Sequence, residues 1–413
     1  MSIFNLAWLL AGLCVLVHCH HIPIDFQADN QYSLVGHQNL PHLKIAPGNI
    51  DFAFKLYHEV ALGAAKKNIF FSPLGISTAF SMLALGAKSH TLSQLLSGLS
   101  FNQTEITEQE IRENFRALLE HLNNPSRNIE LTLGNALFID EEFKPLKKFL
   151  KDAKYFFKSD ISHTNFNNSE EAEEEINSYI KKKTNGKLVD VVKGLDAEVV
   201  TVLVNYIFMK AHWKNPFNPS NTQEDYFFVD EHTTIKVPMM FRNGLYYTYH
   251  DTDLSCQVAV LPYQGTTSAF FVLPDPGKMK QVEDALGREL FLKWLNSLRE
   301  QRINLHLPKF SISTKYVLKG ILRRLGITDI FTNEANLSGI TGKPDLQISK
   351  AFHQTYLNVH ENGTEAAAAT VIEAVPVSLF PIMKMSRPFL MIIFESNSQS
   401  ILFMGRITNP NEN

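Results

Sequence analysis

Residues Glu361 to Pro381 read E-N-G-T-E-A-A-A-A-T-V-I-E-A-V-P-V-S-L-F-P, and this stretch constrains the fold more than any other. Sorted by parity, Thr364, Ala366, Ala368, Thr370, Ile372 and Ala374 fall on one side of an extended chain. Glu365, Ala367, Ala369, Val371 and Glu373 fall on the other. One side is small and uncharged; the other carries both interior glutamates. A central strand with one face against a core has this pattern. Alanine is also the strongest helix former, so Thr364 to Ala374 could simply be a helix. At about 11 residues, however, such a helix is marginal unless something packs on it. Gly363 opens the run and Pro376 closes it. Local physics therefore leaves helix, exposed loop and latent strand all open.

The rest of the chain bounds the class of protein. Its 413 residues would suit two or three domains, but no linker, low-complexity tract or internal repeat divides them. With 45% hydrophobic residues the chain can bury one large core. A formal net charge of −3 argues against a nucleic-acid partner. Leu6 to Val17 is apolar and too short to span a bilayer, so residues 1–19 are expected to be a secretory signal, although no Lys or Arg precedes the run. Residues 20–48 are polar and aperiodic and are expected to be a flexible tail. Residues 49–413 are then one domain. His18, His20 and His21 straddle the expected cleavage region, so no metal site is expected there.

Cys14 and Cys19 would leave with the signal, so Cys256 remains without a partner for an internal disulfide. A mixed disulfide and a buried inert thiol are both open readings. Sequons occur at Asn102, Asn167, Asn336 and Asn362. Asn102 and Asn167 are the expected glycosylation sites; Asn336 lies in a segment where burial is plausible, and a glycan at Asn362 would obstruct the alanine-rich stretch.

Helix and strand signals mix, which points to an α+β fold. Asn49 is placed to cap a first helix whose Ala53, Leu56, Tyr57, Val60 and Ala61 share a face. Thr107 and Glu110 form a capping-box pair ahead of Ile111, Phe115, Leu118 and Leu122. Val202 to Met209, Ala269 to Leu273, Leu390 to Phe394 and Ile401 to Met404 are near-continuous apolar runs, as strands covered on both faces require. Asn205 sits inside the first of these runs and must find partners, since an unpaired buried amide costs about 1–3 kcal/mol. Lys147, Lys151, Lys154 and Lys158 share a helical face, with Lys144 and Lys148 nearby. A solvated basic face is the commoner meaning of such spacing; a glycosaminoglycan site is the other. The acids Glu170, Glu171, Glu173, Glu174 and Glu175 ahead of Lys181, Lys182 and Lys183 complement a helix dipole. H-E-x-x-H, C-x-x-C, P-loop and G-x-S-x-G patterns do not occur, so an enzyme is not expected, and neither is a metal or other cofactor.

Several segments together resemble the serpins, the serine protease inhibitors that trap a protease by inserting a loop into a sheet. They are Glu361 to Pro381, Asn68-Ile69-Phe70-Phe71-Ser72-Pro73, Leu203 to Phe208 with Trp213 and Pro216-Phe217, and the tail Arg387-Pro388-Phe389-Leu390, Ser400 to Ile407 and Asn409-Pro410. The resemblance covers about residues 49 to 413 and is greatest to the secreted group around alpha-1-antitrypsin, corticosteroid-binding globulin and vaspin. It implies a large, mostly antiparallel central sheet, two smaller sheets, roughly eight to nine helices and an exposed reactive-centre loop at about 361–381. It makes Glu361, Gly363, Thr364, Glu365, Ala366, Ala367, Ala368, Ala369 and Thr370 the hinge. It also implies that Ser72, Asn205, Trp213 and His353 lie where the central sheet opens. Gly75 departs from the pattern, since close relatives usually carry a serine there; easier opening and lower stability are the two consequences left open.

By the same resemblance, cleavage falls between Val377 and Ser378. A β-branched side chain of medium size suits the small apolar pocket of an elastase-like protease and lacks the cation that trypsin-like pockets require. Pro376 fixes φ and holds the loop extended. The expected protein is therefore a secreted, monomeric suicide inhibitor that forms a covalent complex with a serine protease, with no nucleic-acid or membrane partner. A non-inhibitory serpin that carries a hormone or other small ligand is the alternative.

Overall fold

The computed structural model describes residues 41–124, 129–196, 198–364 and 380–412. Among them, the strands form one six-stranded and one nine-stranded sheet, with ten α-helices around them.

The six-stranded sheet has the order β10 (Phe310–Val317), β11 (Lys350–His360), β12 (Gly363–Thr364), β4 (Thr201–His212), β2 (Ile129–Asp140), β3 (Asp160–Thr164). β4 is the apolar run around Asn205, and its first nine residues are buried. At the centre of this sheet, β11 and β4 pair in parallel from Lys350↔Val202 to Tyr356↔Phe208. Beyond that point they part. The two residues of β12 fill the gap, antiparallel to both neighbours, with Thr364 opposite Val359 on one side and Ala211 on the other. The sheet is thus closed along a parallel seam and open at one end.

The nine-stranded sheet runs β1 (Ile69–Phe71), β15 (Ser400–Ile407), β14 (Phe389–Glu395), β8 (Thr267–Pro274), β7 (Cys256–Pro262), β6 (Thr234–Asp251), β9 (Arg299–Pro308), β13 (Ile382–Lys384), with β5 (Gln223–Phe228) on the far part of β6. Strand β6 joins its two halves: residues from Met239 to Thr248 pair with β9, and residues from Tyr247 to Asp251 with β7. The runs expected as buried strands are β4, β8, β14 and β15.

Helices dress the six-stranded sheet on both sides. On one side helix α2 (Pro73–Ala84) packs on β4 and β2 and also on β15 of the larger sheet, and helix α1 (Ala46–Leu62) packs on α2 and β15. Helix α3 (Glu108–Leu122) opens with the expected capping box: Glu110 N–H donates to Thr107 Oγ1, and Thr107 N–H to Glu110. Helix α4 (Lys147–Phe157) carries the lysine-rich face, and helix α5 (Ser169–Lys183) lays Ala172, Ile176 and Ile180 over Phe138, Val204 and Phe352 of the sheet. One local expectation is corrected. Asn49 does not cap α1, which starts three residues earlier with Pro47 in its first turn. Instead Asn49 lies inside the helix and accepts a hydrogen bond from Ser77 Oγ at 2.7 Å, tying α1 to α2.

Candidate functional site at the opening of the central sheet

Two polar clusters surround the parallel seam, one at the open end and one midway along it. At the open end the chain turns out of β11 through Glu361 and Asn362 and enters β12. Gly363 has φ +140°, and a Cβ there would lie 2.1 Å from the Ala211 carbonyl oxygen, so only glycine lets the chain make this entry. Thr364 follows and is fully buried, its hydroxyl 2.9 Å from that of Tyr263. Tyr263 stacks on Trp213 with ring centroids 4.2 Å apart. Trp213 in turn donates from Nε1 to the His360 carbonyl at 2.9 Å and from its backbone N–H to the Asn362 carbonyl at 2.9 Å. Glu361 accepts from the Thr222 hydroxyl at 2.9 Å and pairs with Lys309 Nζ at 3.1 Å. The turn that feeds the hinge is therefore held on every side.

Midway along the seam, His353 on β11 stands opposite Asn205 on β4. His353 Nδ1–H donates to Asn205 Oδ1 at 2.6 Å, and its Nε2 accepts from the Ser72 backbone N–H at 3.0 Å. That pattern requires the neutral ring protonated on Nδ1. Full burial keeps it so, pushing the His353 pKa down to about 3. Asn205 Nδ2 donates to Asn135 Oδ1 at 2.6 Å and to the Gly134 carbonyl at 3.2 Å. Ser72 caps α2 by accepting from the Gly75 N–H at 3.0 Å. A Cβ on residue 75 would lie 2.6 Å from Asn205 Oδ1, so the Asn205 amide occupies the space a larger residue would need.

Of the expected residues, the fold brings Ser72, Asn205 and His353 into one cluster and Trp213, Glu361, Gly363 and Thr364 into the other. Glu365, Ala366, Ala367, Ala368, Ala369, Thr370, Val377 and Ser378 lie outside the described residues. Tyr263, Asn135, Thr222 and Lys309 belong to these clusters but carried no signal in the sequence, because their partners are remote along the chain. Among the sequons, Asn102 and Asn167 are exposed, whereas Asn362 is buried. Asn336 is half-buried and its Oδ1 accepts from the Ser338 hydroxyl at 2.8 Å. On α4, Lys148 pairs with Asp152 and Lys154 with Asp160, which neutralises part of the basic face.

A family model described as serpin (serine protease inhibitor) matches residues 47–410. Alpha-1-antitrypsin of Sus scrofa is 45% identical over 415 residues, covering 98% of this chain and 97% of the relative. Among solved structures, human thyroxine-binding globulin aligns with a TM-score of 0.86 at 40% identity, covering 90% of this chain and 100% of that one. Human glycosylated kallistatin aligns with a TM-score of 0.84 at 45% identity, with the same coverage. A central sheet held by a parallel seam, with a glycine-led hinge entering its open end, is here joined to a family match across almost the whole chain: this protein belongs to the serpins.

Proposed function

We propose that the chain is a secreted inhibitor of serine proteases that acts as a suicide substrate, cleaved at Val377-Ser378 by an elastase-like enzyme. One observation carries the reading: the parallel β11–β4 seam continues directly from the antiparallel slot that Thr364 already occupies. A strand that prolongs β12 replaces one parallel pairing with two antiparallel ones, gaining ladder hydrogen bonds in the more favourable geometry. Continuing the register of Thr364 sets Ala366 between Leu357 and Met209, Ala368 between Thr355 and Ile207, and Thr370 between His353 and Asn205. The small, uncharged side of the hinge then meets the buried face that Thr364 meets, and Ala367, Ala369 and Val371 meet the face under α5. Thr370 would part the His353–Asn205 hydrogen bond, so insertion opens the seam by exchanging that contact for new ladder bonds.

The chemistry follows from the tether. While the loop is intact its far end is fixed at β13, and it cannot run down the seam. Attack of the protease serine on the Val377 carbonyl forms the acyl bond and breaks the amide, with Ser378 leaving as a new amine. The freed strand inserts and carries the acylated enzyme with it. Insertion competes with deacylation, so a hinge of alanines favours trapping. Incubation with neutrophil elastase, followed by denaturing electrophoresis and mass analysis of the released 378–413 peptide, tests this. A band at the combined mass with cleavage after Val377 supports it. Cleavage without that band favours the second reading, a ligand carrier, to which the likeness to thyroxine-binding globulin lends support.

A further inference from the structure

The chain that leaves the loop is docked on an outward face of the nine-stranded sheet, and that face is apolar in an unusual way. Strand β9 lies between β6 and β13, with Arg302 opposite Leu245 and Asn304 opposite both Asn243 and Ile382. Residues opposed in this register share one face, so Leu245, Arg302, Asn304 and Ile382 point the same way. Ile382 is 65% exposed, Leu245 50% and Phe380 37%. Arg302 spans the group: its guanidinium lies 5.6 Å from the Phe380 ring centroid and donates to Asn243 Oδ1 at 2.6 Å. Neither partner is charged, so neither neutralises it.

A polar relay fixes the platform. Asn243 Nδ2 donates to Asn304 Oδ1 at 2.8 Å, Asn304 Nδ2 to the Phe380 carbonyl at 3.3 Å, and the Asn304 backbone N–H to the Pro381 carbonyl at 2.8 Å. The exit of the loop is therefore pre-organised rather than free to adapt, which lowers the entropy cost of anything that docks on it. Phe380 is two residues beyond Ser378, and an extended chain covers only about 7 Å in that distance. A protease seated on the Val377-Ser378 bond must lie against this face.

We propose that Phe380, Ile382 and Leu245, with Arg302 among them, form a docking surface for the rim of the target protease on the leaving-group side of its cleft. The surface fits an apolar rim bearing a carboxylate opposite Arg302. This rests on the inhibitory reading above and adds what selects the protease beyond Val377. The three apolar side chains bury against the protease before acylation, and Arg302 steers the encounter. The platform acts on association and leaves loop insertion untouched.

The test is the second-order rate constant of complex formation with neutrophil and pancreatic elastase, measured for the wild type, for Leu245→Ser with Ile382→Ser, and for Arg302→Gln. The double variant is expected to react about tenfold more slowly, as loss of apolar anchors predicts. Its stoichiometry of inhibition should be unchanged. Arg302→Gln should flatten the decline of the rate with added salt. Leu62→Ser, which alters a still more exposed leucine of α1 (76% exposed), is the control and should react at the wild-type rate. Rates within twofold of wild type for the double variant, with complexes forming normally, overturn the docking surface and leave the inhibitory reading intact. The same holds if Leu62→Ser slows the reaction equally. If the wild type forms no complex with either elastase, the elastase-directed inhibitory reading fails and takes the docking surface with it.

Discussion

The hydroxyl of Thr364 meets the hydroxyl of Tyr263 at 2.9 Å inside a fully buried pocket roofed by Trp213, so the chain that leads into the alanine-rich stretch already enters the sheet at Thr364. Among the described residues the side chains around position 364 are the Tyr263 hydroxyl and the Trp213–Tyr263 stack, and burying a guanidinium against them is prohibitive. Thr364→Arg is therefore expected to be cleaved at Val377-Ser378 without trapping, turning an inhibitor into a substrate. Tyr263→Phe is a contrasting case: it removes one hydrogen bond and keeps the ring on Trp213. Stability should fall by about 1 kcal/mol. Its stoichiometry of inhibition should not move, because the Thr364 contact is present both before and after insertion. Denaturing gels and urea midpoints separate the two outcomes.

The crowding of Gly75 against Asn205 gives a second prediction. A Cβ at 75 must displace the amide that holds His353, so Gly75→Ala should destabilise the protein by about 1–3 kcal/mol. The glycine thus permits the Asn205–His353 bond; restoring a serine without moving Asn205 would not stabilise the protein. In an Asn205→Ala background the space is vacant, and Gly75→Ala should cost less. A double-mutant cycle read by urea unfolding should show coupling of about 1 kcal/mol or more. Additive effects would mean that the two residues do not compete for space.

Much of this arrangement was legible in the sequence wherever the signal was local. The runs that became β4, β8, β14 and β15 are near-continuously apolar because both faces are covered, and Thr107 with Glu110 carries its cap in four residues. Of the run whose parity the sequence displays, Thr364 is buried, and residues 365–374 lie outside the described residues. Long-range pairing was not legible. Tyr263 meets Thr364 across 101 residues, and nothing around Tyr263 distinguishes it from any strand-end tyrosine. The parallel β11–β4 seam is equally silent, since neighbouring strands in space need not be neighbours in the chain. Asn49 shows a local signal misread: a good capping residue near a helix start was taken up by Ser77 from another helix.

His353 sets an acid limit on stability. Burial pushes its pKa down to about 3, whereas the unfolded chain keeps a value near 6.5. Above pH 6.5 the ring is neutral in both states, and the buried network contributes fully. Between about pH 6.5 and 3 the unfolded chain binds a proton that the native state refuses, so stability falls as pH falls, by up to about 1.4 kcal/mol per pH unit. His306 and His360 are also shifted down, with burial the largest cause, and add to the same slope. His353→Gln should therefore flatten the pH dependence of the urea midpoint between pH 6.5 and 5 without abolishing it. An unchanged slope would show that His353 is charged, or hydrated, in the native state.

Cys256 begins β7 fully buried, and burial, with Asp251 nearby, pushes its thiol up to about 12. The thiolate is the reactive species, so this cysteine should be inert. A chromogenic disulfide reagent at pH 8 should give no signal with the native protein and one equivalent of thiol after denaturation of the chain freed of residues 1–19. Rapid reaction in the native state would instead favour the mixed-disulfide reading.

In the proposed insertion, a strand that continued the register of Thr364 would set Thr370 between His353 and Asn205, and this makes the sharpest demand on the mechanism. Both of those side chains lie on the buried face, where Ser72 and the start of α2 close the space. A threonine fits there once the Asn205–His353 hydrogen bond parts; an aromatic ring does not, since overpacking a closed core costs about 1–3 kcal/mol and forces backbone shifts. Thr370→Tyr should leave docking and acylation at Val377 unaffected, because it lies seven residues before that bond. Insertion should then pass Ala366 and Ala368 and slow midway along the seam, at the His353–Asn205 pair. The expected result is a higher stoichiometry of inhibition at an unchanged rate of loop cleavage. A Thr370→Tyr variant that traps protease as efficiently as wild type would mean the strand enters in another register or not at all.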